Sequence, residues 1–469
     1  MTSPLVPQAR AALGVSQGFF MSSSTLVDSV TSWLVEQAFG DPDPTELFQG
    51  MCDRIFGVGI PIGRAMVNWT TLHPLFQVEA VIWREGQEVA FEQIAYNPEP
   101  NHISEAWRQS PFKVLVESGS DVFRRALQGP EKLVDFPVLQ EFADEGFTDY
   151  IAFAIDLAIP GTGLAHSRSG IIVSYCCTRP SGFSDGEIAA LQRVTRRFAL
   201  SGKVMILSRM ANTIAETYLG HRAGPRVLGG QIHRGDGETV PAIILYSDLR
   251  NSTAFAERIP RADYIDLLNS YFDCIAASIE EEGGDILNFI GDAVIALFPL
   301  DCWSSETEAA QAASRAIEKG WQKLALLNEA RIAAGEEPLD YGVGLTRGNV
   351  MFGNIGTASR LSFSVIGPIV NQVARVQAMT KVFGVPALAV QKVADHAPAH
   401  WTPLGEHTLR GFSEPVELYA WAGPTPHRLP EPIMETENPS EPPKKRPRRP
   451  RESAAEMDFL ANRAVRAKG

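Results

Sequence analysis

The sequence predicts an α+β fold with an antiparallel sheet in its second half, preceded by a smaller α/β domain, and three observations predict it. Between about residues 240 and 421, short apolar runs of strand length alternate with two long stretches of helical periodicity. Within that region, 243–253 (IILYSDLRNST) and 285–298 (DILNFIGDAVIALF) each set one aspartate at the end or turn of a strand-like run. Upstream, 167–206 reads as a strand, a Pro/Gly turn and an amphipathic helix.

The elements follow in chain order. Residues 1–25 are small and polar and are expected to be irregular. From Ser29 to Phe56 apolar residues recur at helical spacing: Val30, Leu34, Ala38, then Leu47, Met51 and Ile55. FQVEAVIWREG at 76–86 is a strand entering a turn, and His73, just before a proline, is expected to serve a turn rather than a ligand. Ser184 is placed as a helix N-cap with Glu187 at the capping-box position. Residues 200–240 connect the two halves, first as a helix through MANTIAETYLGHRAG and then as a Gly-rich loop. That helix either transmits a rotation between paired protomers or is an inert tether.

In the second half, 242–248 is a strand, and Ile265, Leu268, Phe272, Ile275 and Ile279 mark one face of a helix over 261–282. Strands 285–289 and 293–298 flank a turn at Gly291–Asp292. A second long helix spans about 305–333, strands 340–346 and 349–354 make a hairpin around Arg347–Gly348, and a helix over 369–382 precedes a β-rich end. After Trp421 the chain changes character. Residues 424–451 are rich in proline and end in KKRPRRPR, which cannot bury a core; a last short helix is expected in ESAAEMDFLANRAVR. This basic cluster either touches acidic lipid or nucleic acid or is a solvated tail, and the acidic balance of the chain favours the tail.

Composition excludes several classes. A formal charge of −13 over 469 residues argues against general nucleic-acid binding. The five cysteines, Cys52, Cys176, Cys177, Cys274 and Cys302, form no CxxC pair, so neither a disulfide framework nor a zinc site is expected and a reducing, cytoplasmic compartment fits. The N-terminus lacks the layout of a signal peptide, and no window approaches 18 uninterrupted apolar residues, so no membrane span is expected.

Two carboxylates on neighbouring strand ends, Asp248 and Asp292, are suited to share a pair of divalent cations that clamp a triphosphate. Magnesium suits such a site because it takes few protein carboxylates and completes its shell with water and phosphate oxygens. Around these aspartates stand five ordered blocks: LYSDLRNSTAFAE, LNFIGDAVIALFP, GVGLTRGNVMFGNIGT, SFSVIGPIVNQVARVQ and LRGFSEPVELYAW. Through them the segment from about 240 to 421 resembles the catalytic domain of class III adenylate and guanylate cyclases. The strand–PSGFSD–helix block makes the first half resemble a GAF-type sensor domain. The chain is thus expected to comprise an irregular N-terminus (1–25), a GAF-like α/β sensor (26–205), a linker (206–240), a ferredoxin-like cyclase catalytic domain (241–423) and a basic tail (424–469).

The resemblance implies a site. Asp248 and Asp292 match the family's metal aspartates, with the backbone carbonyl of Leu249 as a further ligand and two Mg²⁺ or Mn²⁺ ions per site. Asn371 and Arg375 are four residues apart, which places them on one helix face. The family's matching asparagine orients the ribose and its arginine stabilises charge on the pentavalent phosphate. Arg410 matches a basic position that contacts the terminal phosphates. Base choice departs from the pattern: Asn288 stands where adenylate cyclases carry lysine and guanylate cyclases glutamate, its partner position is Ser364, and Pro368 replaces a common acidic residue. Asparagine both donates and accepts. The expectation is a regulated nucleotidyl cyclase making cyclic AMP from ATP. GTP, a pyrimidine triphosphate, or a nucleotide-binding protein of low turnover are the alternatives. In the family the aspartates and the Asn/Arg pair meet only across a head-to-tail homodimer, and the sensor's regulator is unspecified.

Overall fold

The structure is a computed structural model that describes residues 14–97, 104–159 and 170–423. The expected basic tail and its last short helix lie outside the described residues, as do 1–13. The first half comprises α1 (Gly14–Gln37), α2 (Pro44–Gly57), β1 (Ile62–Thr70), β2 (Phe76–Arg84), β3 (Ala90–Ala95), α3 (Glu105–Arg108), α4 (Pro111–Glu117), β4 (Val122–Ala126), α5 (Pro137–Asp144), β5 (Asp149–Asp156), β6 (Gly170–Cys177) and α6 (Asp185–Leu219). Helix α1 begins inside the segment read from sequence as irregular.

The six strands pair antiparallel in the order β3-β2-β1-β6-β5-β4. Alternate residues bury on opposite faces. On one face Trp69, Val173 and Tyr175 pack with Leu34 of α1, Phe48 and Met51 of α2 and Phe198 of α6. On the other, Tyr150 and Cys176 pack with Leu115 of α4 and Leu139 and Phe142 of α5. Cys52, Cys176, Cys177 and Cys274 are buried free thiols, acting as small hydrophobes. His73 Nδ1 accepts from the amide of Leu75 at 3.0 Å, closing a turn as expected.

Helix α6 starts on a complete capping box. The Ser184 hydroxyl accepts from the Glu187 amide, and the Glu187 carboxylate accepts from the Ser184 amide at 2.8 Å. From there it runs 35 residues without a break, out of the first half and into the connection. Its C-cap is Gly220 at φ 87°, and a Cβ there would stand 3.0 Å from the carbonyl oxygen of Ile286.

The second half comprises α7 (Ala223–Leu228), β7 (Gly237–Leu249), α8 (Ser252–Arg258), α9 (Arg261–Glu281), β8 (Asp285–Ile290), β9 (Ala293–Pro299), α10 (Glu306–Ala333), β10 (Tyr341–Gly356), β11 (Leu361–Ile366), α11 (Pro368–Phe383), β12 (Ala387–Val390), α12 (Gln391–Ala394), β13 (Trp401–His407) and β14 (Val416–Trp421). Its sheet runs β13-β14-β12-β10-β7-β9-β8, with β11 paired to β10. Helices α9 and α10 cover one face through Tyr271, Ile275, Ala313 and Ile317. A smaller cluster around Ile244, Ile295 and Phe352 lies on the other, with Val373 of α11 and, partly buried, Leu219 of α6.

One expected element is corrected. There is no hairpin at Arg347–Gly348; β10 runs straight through, with Arg347 opposite Ile243 and Gly348 opposite Ala242 on β7. Its reversal comes at 357–360, where the Thr357 amide donates to the carbonyl of Arg360 at 2.9 Å. Glycine at 348 serves close approach: a Cβ there would stand 2.8 Å from Ile369 Cγ1 of α11. Gly344, on the same face of β10, would meet the Gln377 amide nitrogen at 2.7 Å. These glycines let α11 lie directly on the strand.

Candidate active site

Strand alternation positions Asp248. Ile243, Leu245 and Leu249 of β7 bury toward α9 and α10, so Ile244, Tyr246 and Asp248 point to the opposite face. Asp292 is presented by the β8–β9 turn, where Gly291 takes φ 65°. Asp248 is paired in register with Ala293, and the Leu249 amide donates to the Asp292 carbonyl at 3.3 Å. The two aspartates therefore sit together on adjacent strand ends. Leu249 is buried, and its side chain has no lone pair, so only its backbone carbonyl could serve a cation. Beneath them the hydroxyls of Ser247 and Tyr271, both buried, share a hydrogen bond of 2.8 Å that fixes the strand end on α9.

The electrostatics are those of a site short of positive charge. Burial lifts the Asp248 carboxyl above its ordinary pKa; Lys381 draws it back, and Asp292 pushes it up again. The Tyr246 hydroxyl is raised too, by burial and by both aspartates. Among the described residues no cluster of three or more His, Cys, Asp or Glu converges. The donors are two carboxylates and a carbonyl, all oxygen. That set fits magnesium or manganese and not a thiophilic metal, and a cation there would offset the carboxylate repulsion.

Lys381 was not singled out by the sequence. Its Nζ donates to Asp248 Oδ2 at 3.1 Å. A lysine in the last turn of a helix reads as ordinary dipole compensation, so no spacing signal marked it. Arg250 is likewise engaged: its side chain pairs with Asp340 at 3.0 Å and donates to the Val385 carbonyl at 3.0 Å, while its amide donates to the Asp340 carbonyl. The amide of residue 250 is thus unavailable to a phosphate.

Asn371 and Arg375 lie exposed on α11, whose Val373, Val376, Gln377 and Thr380 are buried. Neither makes a hydrogen bond or ion pair with the aspartates among the described residues. Helical rise explains why. Lys381 reaches Asp248, and Arg375 and Asn371 stand about 9 and 15 Å back along the axis at ~1.5 Å per residue. One chain brings the two carboxylates together and leaves the Asn/Arg pair apart from them.

Asn288 is exposed on β8, just past a register shift between Ile286 and Asn288. Ser364 of β11, half-buried, pairs with Gly353 of β10, and β11 also contacts β8. The two candidate base-contacting positions therefore lie on neighbouring strands of one chain. Pro368 is the first residue of α11, where a missing amide costs nothing. Arg410 is exposed beside Gly411 in the β13–β14 connection and has no ion pair to either aspartate among the described residues.

Residues 237–419 match the family model described as the adenylate and guanylate cyclase catalytic domain. An adenylate cyclase of Anabaena cylindrica is 32% identical over 165 residues, 34% of this chain and 32% of that protein. A Mycobacterium tuberculosis (strain CDC 1551 / Oshkosh) protein described as uncharacterized is 32% identical over 200 residues, 41% of this chain and 33% of its own. The chain thus spans about a third of the length of these relatives. Among solved structures, the guanylyl cyclase Cya2 is 28% identical, with a TM-score of 0.36 over 41% of this chain and 98% of that one. The adenylyl cyclase CyaB of P. aeruginosa is 24% identical, with a TM-score of 0.37 over 40% and 97%. Residues 237–419, which bring Asp248 and Asp292 together, are thus similar to the adenylate and guanylate cyclase catalytic domain.

Proposed function

We propose that the protein is a nucleotidyl cyclase that converts ATP to 3′,5′-cyclic AMP and pyrophosphate under control of its N-terminal domain. The observation that carries this reading is the convergence of Asp248 and Asp292 on adjacent strand ends, with Asn371 and Arg375 exposed on α11. In the reaction the ribose 3′-oxygen bonds to the α-phosphorus, the bond from that phosphorus to the bridging oxygen breaks, and pyrophosphate leaves with that oxygen's electrons. The hydroxyl proton passes to solvent.

Asp248, Asp292 and the Leu249 carbonyl are the groups that would hold the cations. When bound, Mg²⁺ or Mn²⁺ supplies a lowered pKa for the attacking hydroxyl and positive charge for the phosphates. Lys381, which donates to Asp248 at 3.1 Å, would have to yield that oxygen to a cation. Asn371 orients the ribose, and Arg375 meets the charge that builds on the phosphate, its fork matching two oxygens at once. Arg410 takes the terminal phosphates. Since α11 holds Asn371 and Arg375 away from the aspartates of its own chain, they act on the aspartates of a second copy, and the working unit is a homodimer with composite sites.

Asn288 and Ser364 face the base. An amide reads adenine by neutral hydrogen bonds, which discriminate less than charge-assisted ones. We read 26–205 as a GAF-like sensor, 206–240 as the linker and 241–423 as the catalytic domain, in a cytoplasmic protein whose buried thiols stay reduced. No helix among the described residues is long and apolar enough to cross a membrane.

The test is kcat/KM for ATP and for GTP with Mg²⁺ or Mn²⁺, in the wild type and in Asn288→Lys. ATP is the better substrate in both, and the lysine widens its lead by about 1–3 kcal/mol, roughly 5- to 150-fold. Equal ratios in the two proteins would remove residue 288 from the base site. Cyclic GMP as the main product would reassign the substrate.

A further inference from the structure

Arg64 of β1 takes no part in the cyclase site, yet it is a buried charge that calls for an explanation. Ile62, Ala65 and Val67 of the same strand enter the core beneath α6. Residues two apart on a strand share a face, so Arg64 would follow Ile62 into that core. The register against β6 shifts between Ile62 and Arg64, however. A bulge of this kind re-aims a side chain. Here it turns Arg64 to the opposite face, where its Cζ lies 4.7 Å from the centre of the Phe142 ring of α5.

Arg64 is 7% exposed. Its Nη2 donates to Met66 Sδ at 3.7 Å, and its Nε is buried without a hydrogen-bond partner. Cys176, its register partner on β6, cannot supply charge, because burial pushes that thiol up to about 12. Its register partner on β2 is Arg84, a second guanidinium. Like charges directly opposite destabilise a strand pair. The carboxylate beside them, Glu145, is taken up by Arg84: Nη1 donates to Oε2 at 2.5 Å and Nη2 to Oε1 at 3.3 Å. Glu145 feels the Arg64 charge as well, but among the described residues Arg64 forms no ion pair. A guanidinium does not deprotonate, so it cannot escape burial by losing its charge. A buried charge short of a counter-charge is costly, and the Phe142 ring offsets only part of that cost.

We infer that Arg64 and Arg84 form a binding site for a small oxyanion, a phosphate or a carboxylate, on the α5 face of the N-terminal sheet. Two guanidinium forks on adjacent strands match the paired oxygens of such a ligand. Glu145 marks the chemistry: a carboxylate tethered to the end of α5 already meets one fork, and a diffusible oxyanion adds the negative charge that the other lacks. The Arg84 and Glu145 side chains are 31% and 39% exposed, so the site opens to solvent at that edge. It lies in the N-terminal half and stands whether or not the second half cyclises a nucleotide.

The test is calorimetric titration of the full chain with sodium phosphate and, separately, with sodium acetate, at fixed pH and at an ionic strength held constant with chloride. The wild type should bind at least one of them saturably, and the tighter of the two fixes the ligand class. Arg64→Met should weaken that binding about tenfold or more, the size of one lost charge-assisted contact. Glu145→Gln removes the competing carboxylate at nearly constant shape and should tighten it about tenfold. An arginine with a purely structural role predicts no such gain. Absence of saturable binding of either anion by the wild type, or equal affinity in Arg64→Met, would overturn the site. If Arg64→Met does not fold, Glu145→Gln decides: tighter binding supports the site, and unchanged or weaker binding overturns it.

Discussion

Asp248 carries two loads, since it is half-buried and faces a second carboxylate. Among the described residues only Lys381 offsets them, and the Asp248 pKa is still raised. A cation held between the aspartates would offset both loads. Asp248→Ala or Asp292→Ala should therefore lower kcat by about 100- to 1000-fold or more at saturating metal, as loss of a transition-state electrostatic contact typically does. Each variant should melt no earlier than the wild type, since each removes charge repulsion. Activity within a few-fold of wild type in either variant would contradict the metal assignment. These two residues were legible because an acidic side chain ending an apolar strand is chemically conspicuous. Lys381 was not, since its partner lies 133 positions away in sequence and only the packing of α11 on β10 brings them together.

Helix α6 shows what an element discloses. Its start was legible from Ser184 and Glu187, because a capping box is a purely local device. Burial alone raises the Glu187 carboxyl, but hydrogen bonds from Arg179 and Ser184 more than offset it, and its pKa falls below the ordinary glutamate range. A depressed carboxylate pKa means stability present above the unfolded value and lost as pH falls through the folded one. Glu187→Ala should cost about 1 kcal/mol in urea unfolding near neutral pH, with the gap to wild type closing as the solution is acidified through the carboxylate range. A gap independent of pH would mean that packing, not the ionised cap, sets the loss. Strand β10 shows the opposite case. In sequence Gly348 reads as a turn because glycine punctuates turns, whereas it makes room for Ile369, a demand visible only once the helix is in place.

At the scale of the whole molecule the sheet of the second half was legible from its strand runs, whereas of the six strands in the first half only β2 and β6 were. The sequence shows α6 as an amphipathic helix, and burial then shows that Leu200, Val204, Leu207, Ile214 and Tyr218 stay exposed opposite its core face. The catalytic domain repeats the lesson, since Asn371, Arg375 and the two aspartates are adjacent in chemistry and apart in one chain. The central claim is that two copies make one site. Asp292→Ala and Arg375→Ala proteins should each be inactive alone. Mixed and allowed to exchange subunits, they should recover about a quarter of wild-type activity, since half of the dimers carry one intact site and one doubly damaged site. Demonstrated exchange with no return of activity would place the whole site within one chain and contradict the account.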